Sequence, residues 1–485
     1  MLIALWARSM VRSLYIVGAM RTEKLWRAVA ITLCAAVPVS FYVVGDVTDA
    51  FPGVLTLETS GDEQPAGPRA QGEDYDREQA DAIIPTPATS PADADLRARL
   101  ASHEDDPVID GGLSYSVVDA GSGEVITEKD GDTARVPAST LKLLTASALL
   151  RSVDGDQRLT THAVLKGSTL TLVGEGDMTL TRERLDSLAE EAAALAEEHD
   201  VDSVQLRLDT SALPGGENPA WGDNGRDGGW VAPTAALAVD EGWLDGEQYG
   251  KKSADPAGDA AELFASALED HGVSVSGGVE EGRAPKVGGA VEEVTTRSVP
   301  LEEIVQHALQ TSDNTLAELM AHLTARAQGL EPTPENAAKA VDAEVRALAD
   351  EVGVPEEDLD ELVIRDGCGL STSDRVPPRL LSAILAEVVS GGAPDLAPLL
   401  YDVPIAGLSG TLEDRFGAKE VAGARGTIRG KTGYLAGTSA LAGVTVLPDG
   451  RTVAFDIVVH GFDGADADRA RAASDAVAAE LVRAS

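Results

Sequence analysis

Three short motifs stand far apart in this chain and must meet in the folded protein if any of them is to act: Ser139-Thr140-Leu141-Lys142, Ser312-Asp313-Asn314 and Lys431-Thr432-Gly433. Each supplies a different piece of one chemistry. A serine hydroxyl is a weak nucleophile at neutral pH and needs a proton acceptor within hydrogen-bond reach. Ser-x-x-Lys provides one inside a single helical turn, because residues i and i+3 share a helix face. Leu141, Leu144, Thr145, Ala148 and Leu149 recur at the spacing of a buried helix with no Gly or Pro to interrupt them. A helix starting at Ser139 is therefore expected to carry the Lys142 amine up beside the hydroxyl. Desolvation and nearby positive charge would pull that amine toward a useful base. The N-terminal position of Ser139 would also favour developing negative charge.

The second motif lies between two apolar-periodic runs, Leu301, Ile304, Val305, Ala308, Leu309 before it and Leu316, Leu319, Met320, Leu323 after it. It is expected at a break between helical pieces. Ser312 is suited to pass a proton to a leaving amine, and the Asn314 amide to hold a substrate peptide group. The third motif precedes a strong strand pattern, and Lys431, with Thr432, reads as a fixed cation for a substrate carboxylate. Just beyond Gly433, the backbone N–H of Tyr434 is expected to join that of Ser139 in an oxyanion hole, a device worth ~10²–10³ in rate per donor. Any one motif alone reads equally well as a helix start or a surface turn. The ordered set points to a serine acyl-transferase.

The match to known sequences extends past the three motifs. The segments VPASTLKLLTA (136–146), GEGDMTL (174–180), DGCGLS (366–371), GTLEDRF (410–416) and KTGYLAGTSALAG (431–443) occur in that order with Ser-Asp-Asn among them. From about residue 108 to the C-terminus the chain resembles the D-alanyl-D-alanine carboxypeptidase/endopeptidase family of low-molecular-mass penicillin-binding proteins, the class C group in its actinobacterial style. Met178 stands where that family usually has proline, and Cys368 where it has serine. The resemblance implies cleavage of the terminal D-alanyl-D-alanine bond of peptidoglycan stem peptides through a Ser139 acyl-enzyme, with endopeptidase action alongside, and acylation of the same serine by β-lactams. It implies Lys142 as base, Ser312 as proton relay, and Asn314, Lys431, Thr432, Gly433 and Tyr434 as substrate-binding residues. A β-lactamase or esterase on the same scaffold and a catalytically silent cell-wall-binding protein are the alternatives.

The expected fold is α+β: a serine β-lactamase/transpeptidase-like domain, an antiparallel sheet flanked by helices, with smaller domains inserted between the first and second motifs. Ser139 and Ser312 stand 173 positions apart, far more than a short helical connection needs. The catalytic domain is placed at 103–165 and 300–485, with the insertion at 166–299. Hairpins are expected at 113–127 and at 439–460, the second turning at Pro448-Asp449-Gly450, and a closing amphipathic helix at 466–483. By resemblance, an acidic residue of the insertion holds the amino group of the diamino acid in peptidoglycan. Asp223, in Trp221-Gly222-Asp223, is the candidate, against the alternative of a solvated carboxylate in a Gly-, Asp- and Asn-rich loop.

Residues 28–45 carry no charge, follow Arg21, Lys24 and Arg27, and precede Asp46 and Asp49. Such a stretch suits a membrane anchor with residues 1–27 in the cytoplasm and the rest outside, the alternative being a signal peptide. Residues 46–102, rich in Pro, Gly, Ala and Asp, are expected to form a disordered tether. The balance of 81 acidic against 39 basic residues, a formal charge of −42, argues against nucleic-acid binding. Two cysteines in a chain this long rule out a disulfide framework, and Cys368 reads as a small buried residue. The absence of G-x-S-x-G and of any Cys/His cluster points away from a Ser-His-Asp hydrolase and from a metal site. No cofactor is implied.

Overall fold

The computed structural model describes residues 91–104, 112–225, 228–246 and 250–484. The anchor expected at 28–45 and most of the tether lie outside the described residues. Helix α1 (Pro91–Ala101) precedes the hairpin β1 (Gly112–Asp119) and β2 (Val125–Lys129). A single 3₁₀ turn at Ala138–Thr140 then opens helix α2 (Leu141–Ser152). The inserted region follows, with β3 (Arg158–Lys166), β4 (Thr169–Gly174), β5 (Asp177–Leu180), α3 (Arg182–Glu198) and β6 (Ser203–Asp209). Its second half holds β7 (Leu237–Val239), α4 (Pro256–Asp270), β8 (Ser274–Val275), β9 (Glu280–Glu281) and β10 (Val291–Pro300). The chain then makes α5 (Leu301–Thr311), α6 (Asn314–Ala327), α7 (Pro334–Glu351) and α8 (Pro378–Ser390). It closes with strands β11 (Arg429–Leu435), β12 (Thr438–Val446) and β13 (Thr452–His460) and helix α9 (Ala467–Val482).

Alternating side chains give the main sheet two buried faces. Its order is β11-β12-β13-β1-β2, and every neighbouring pair is antiparallel, with Tyr115 opposite Ile457 and Lys431 opposite Ala442. Strands from both chain ends thus share one sheet. Leu113, Tyr115, Val117, Phe455, Ile457 and Val459 face α9 and α1, packing on Val477, Leu481, Leu96 and Leu100. Val118, Ala442, Val444 and Ala454 face the other way, into the larger core with α2, α6 and α8. β11 ends the sheet, and past Gly430, whose N–H donates to Pro404 O, its outer edge lies beside the nucleophile turn.

The expected tether ends earlier than residue 102. Helix α1 is folded, with Leu96 2% and Leu100 0% exposed, and Asp93 pairs with Arg451 at 2.5 Å. Only two large apolar residues mark this helix, so composition hid it. Spaced i and i+4, they fall on one face and bury about 1.5–3 kcal/mol each.

The insertion also starts sooner than 166. Strand β3 pairs with β10 and β4 in a second sheet, ordered β10-β3-β4-β6-β8 with β9 beside β6. The true boundary is the turn at 154–156, where Leu301 N–H bonds Gln157 O and Glu302 N–H bonds Gly155 O. The strand pattern of 158–166 runs on from α2 with only that Asp-Gly-Asp turn between, so the sequence marks the boundary weakly.

Candidate active site

The nucleophile sits where two backbones are forced into close approach. Ala138 adopts φ 47°, an uncommon conformation for a residue with a Cβ, and Ser139 follows in the 3₁₀ turn that opens α2. Two glycines allow their neighbours in. A Cβ on Gly369 would lie 1.9 Å from Ala138 O, and one on Gly433 would lie 2.7 Å from Pro137 O and 3.2 Å from Ser139 N. The loop at 366–371 and the edge strand β11 therefore close on the serine from two sides.

Lys142, fully buried, lies 2.9 Å from Ser139 Oγ, as the i, i+3 spacing requires. Its Nζ is also 2.7 Å from Asn314 Oδ1 and 2.7 Å from Cys368 O. Both of those atoms are acceptors only. A neutral amine has two N–H bonds for them, which leaves its lone pair facing the Ser139 hydroxyl. Burial pushes the Lys142 pKa down, opposed by Cys368, Asp366, Asp313 and Glu318. The amine is placed and biased to accept the serine proton.

Ser312 falls at the break between α5 and α6, in the left-handed conformation at φ 60°. Asp313 caps α6, accepting from Leu316 N–H at 2.8 Å. The Asn314 amide spans the cleft wall, its Nδ2 donating to Trp230 O at 2.9 Å, which fixes its oxygen toward Lys142. Lys431 Nζ donates to Ser312 Oγ and to Thr432 O, each at 2.8 Å. The second serine is thus linked to the third motif and the first serine to the second.

Lys431, expected as a fixed cation for a substrate carboxylate, is fully buried with no anionic partner among the described residues, and burial together with the Lys142 charge pushes its pKa well down. A carboxylate arriving beside it would reverse that shift.

These residues line a cleft of about 400 Å³. Ser139, Ser312, Asn314, Thr432 and Tyr434 border it, as do Thr411, Leu370 and, from the insertion, Asn224, Trp230 and Trp243. Asp223 is not among the lining residues; it is exposed, and its neighbour Asn224 takes the place by donating to Leu370 O at 3.1 Å. The loop kinks at Gly222, with φ 55°, just before these two residues, which the sequence of the loop does not reveal. Thr411 was legible as part of GTLEDRF and bonds Thr432 Oγ1 at 2.7 Å. Trp230 and Trp243 had no periodic signal, since they come from loops.

Besides the Trp230–Asn314 bond, the insertion holds the segments around the catalytic residues through several further contacts. Asn218 Nδ2 donates to Arg365 O at 3.0 Å, beside the Asn224 bond to Leu370. Ala232 N–H donates to Thr315 Oγ1 at 3.1 Å. Lys252, with a side chain only 2% exposed, pairs with Asp313 at 3.2 Å, donates to Glu241 O at 2.8 Å and lies 3.6 Å over the Trp243 ring. Cys368 is free and buried, and burial drives its thiol pKa well up, so it is no thiolate nucleophile.

A serine–lysine pair, a second serine on a second lysine, and an edge strand beside them define a serine acyl-transferase of the penicillin-binding, β-lactamase-like fold. Residues 96–253 and 244–481 match the D-Ala-D-Ala carboxypeptidase 3 (S13) family, and the chain belongs to it. It is 31% identical to the carboxypeptidase DacB of Mycolicibacterium smegmatis over 83% of this chain and 86% of that one. It is 29% identical to a D-alanyl-D-alanine carboxypeptidase of an Actinomadura species, over 86% and 93% respectively. Among solved structures, penicillin-binding protein 4 (DacB) of Haemophilus influenzae superposes with a TM-score of 0.60 at 19% identity, covering 78% of this chain and 97% of that one. The class of enzyme is thereby a serine-type D-Ala-D-Ala carboxypeptidase.

Proposed function

We propose that the chain removes the terminal D-alanine from peptidoglycan stem peptides through an acyl-enzyme on Ser139. The observation that carries this is the geometry of Lys142, whose two acceptor partners leave one direction, toward Ser139 Oγ, for a lone pair. Lys142 takes the hydroxyl proton as Oγ bonds the penultimate D-alanine carbonyl carbon. The N–H groups of Ser139 and Tyr434 receive the oxyanion. Ser312, held on Lys431, hands its proton to the departing nitrogen as the C–N bond breaks and is reprotonated by the proton Lys142 took from Ser139, so the base is restored and free D-alanine leaves. Lys431 and Thr432 hold its carboxylate, and water then hydrolyses the ester. A β-lactam, whose ring amide mimics that bond, acylates the same oxygen. Endopeptidase cleavage of cross-links follows the same steps with a larger leaving amine.

Residues 28–45 anchor the enzyme to the membrane with the catalytic part outside the cytoplasm, a reading supported by the uncharged stretch and the basic residues before it.

The test is intact-mass spectrometry of the protein after incubation with benzylpenicillin, with Ser139→Ala as control. A stable penicilloyl adduct confined to Ser139 is expected. An adduct that persists in Ser139→Ala would refute the assignment, and penicillin consumed without a lasting adduct would identify a β-lactamase.

A further inference from the structure

Behind the nucleophile lies a group of buried acids that the acylation steps leave unused. Glu318, Asp366 and Asp374 are all 1% exposed or less, next to the buried Cys368. One polar atom from each of Glu318, Asp366 and Cys368 falls within 4.8 Å of the others. That spacing could suit a metal ion, but both Asp366 oxygens and Glu318 Oε1 are already engaged by backbone N–H groups. Asp366 accepts from the N–H groups of Cys368, Gly369 and Ser371, at 3.1, 2.6 and 2.7 Å. Glu318 Oε1 accepts from Gly367 N–H at 2.8 Å, and the Lys142 amine bonds the Cys368 carbonyl beside them. The cluster is arranged to hold protons.

Its geometry ties it to the base. Asn314 and Glu318 are four residues apart on one face of α6, and Lys142 and Thr145 three apart on one face of α2. The first pair reaches Lys142 Nζ and Gly367 N–H, the second Cys368 O and Gly367 O, the last at 2.7 Å. The two helices thus hold the Gly367–Cys368 backbone between them. There is no slack, since a Cβ on Gly367 would lie 2.8 Å from both Ala317 O and Ala321 Cβ. Glu318 Oε2 closes no hydrogen bond among the described residues, and neither does Trp221 Nε1, which the insertion brings to the same carboxyl.

We propose that Glu318 is a positioning residue for the general base, fixing Lys142 against Ser139 through the Gly367–Cys368 backbone and, while it carries no charge, leaving Lys142 free to shed its proton. This rests on the acyl-enzyme reading above.

The charges around Lys142 fit. Asp313 and Glu318 face it from α6, Asp366 and Cys368 from the loop, and Lys431 from β11, while Ser139 and Asn314 contribute only neutral groups. Burial and the neighbouring Asp366 push the Glu318 pKa up, and burial pushes Asp374 well up. Burial pushes the Asp366 pKa up as well, but its backbone donors, Asp374 and Lys142 oppose that, so Asp366 is the acid of the three best placed to hold a negative charge. An ionised Glu318 would add a second and strengthen the hold of Lys142 on its proton.

The experiment compares native enzyme, Glu318→Gln and Glu318→Leu in acylation by fluorescent penicillin as a function of pH. Gln keeps the acceptor for Gly367 N–H but cannot ionise, so the acid limb should move to lower pH by ~0.5–1 unit with little change in plateau rate. Leu loses the acceptor, and its plateau should fall at least ~10-fold, as small misplacements of catalytic groups do. A Glu318→Gln profile that superimposes on the native one, or a native plateau in Glu318→Leu, overturns the assignment. Thermal unfolding of native enzyme and Glu318→Gln reads the same proton without any acylation. The native chain should lose stability relative to Gln as pH rises, because an acid with a raised folded pKa favours the fold only while protonated. Parallel curves overturn the role of Glu318, whereas a native chain that forms no penicilloyl adduct counts against the proposed function instead.

Discussion

Replacing Gly433 by alanine adds one methyl group where the edge strand meets the nucleophile turn. Built on the present backbone, that methyl lies 2.7 Å from Pro137 O, 3.2 Å from Ser139 N and 3.2 Å from Ala440 Cβ. Non-bonded heavy atoms prefer about 3.5–4.0 Å, so the strand must withdraw by roughly 0.5–1 Å. As the end strand of the sheet, held on its outer edge only at Arg429 and Gly430, β11 can yield at Gly433, and overpacking of this kind costs about 1–3 kcal/mol of stability. The chemical cost is larger. Oxyanion donors act at about 2.7–3.1 Å, and a withdrawal of that size takes Tyr434 N–H out of range, for a loss of ~10²–10³ in rate. The Ser139–Lys142 pair, both on the first turns of the nucleophile segment, stays intact, so acylation should slow rather than vanish. The assay is the second-order rate constant for labelling by fluorescent penicillin, read beside a thermal melt. Labelling within roughly threefold of native at an unchanged melting temperature would refute the idea that the glycine builds the oxyanion site.

Asp456, fully buried in β13 with Oδ1 lacking a partner among the described residues, has its pKa pushed up to about 8 by burial. The folded state therefore holds a proton that the unfolded chain releases near pH ~4, and native stability falls as pH rises from there toward ~8. Asp456→Asn should remove that loss, gaining up to about 5 kcal/mol over native at the alkaline end and little at the acid end; a gain independent of pH in urea titrations would show the carboxyl is not what titrates. Lys252→Met leaves the Asp313 carboxylate, 6% exposed, without its cation. Breaking such a buried pair costs about 3–5 kcal/mol, so both the melting temperature and the labelling rate should drop; native values for both would mean the insertion does not support the second motif.

The catalytic residues were legible because their chemistry leaves local marks. Ser139 and Lys142 share one helical turn, Ser312 sits at a break in helical periodicity, and Lys431 opens a strand. The sheet was legible for a similar reason, since the alternation in 113–118 and 452–459 and the Pro448-Asp449-Gly450 turn are short-range signals. Helix α1 was not legible because its burial comes from two leucines packed against β2 and α9, the latter at the far end of the chain. That Asn224 lines the cleft while Asp223 is exposed was not legible, because the direction of a loop side chain depends on what the loop docks against. Glu318 and Lys252 carried no motif at all, and an acid on a helix reads as solvated until the neighbouring loop is placed over it.

Sequence by itself determined which groups could react, their pairing within single turns, and the alternation that makes a two-faced sheet. These follow from helix and strand periodicity, which act over a few residues. Tertiary structure decided the protonation of the lysines, the inward turn of Asn224 rather than Asp223, and the placing of the insertion against the second motif. Those outcomes depend on burial and on contacts between segments far apart in the chain, and desolvation has no magnitude until the surrounding elements have packed.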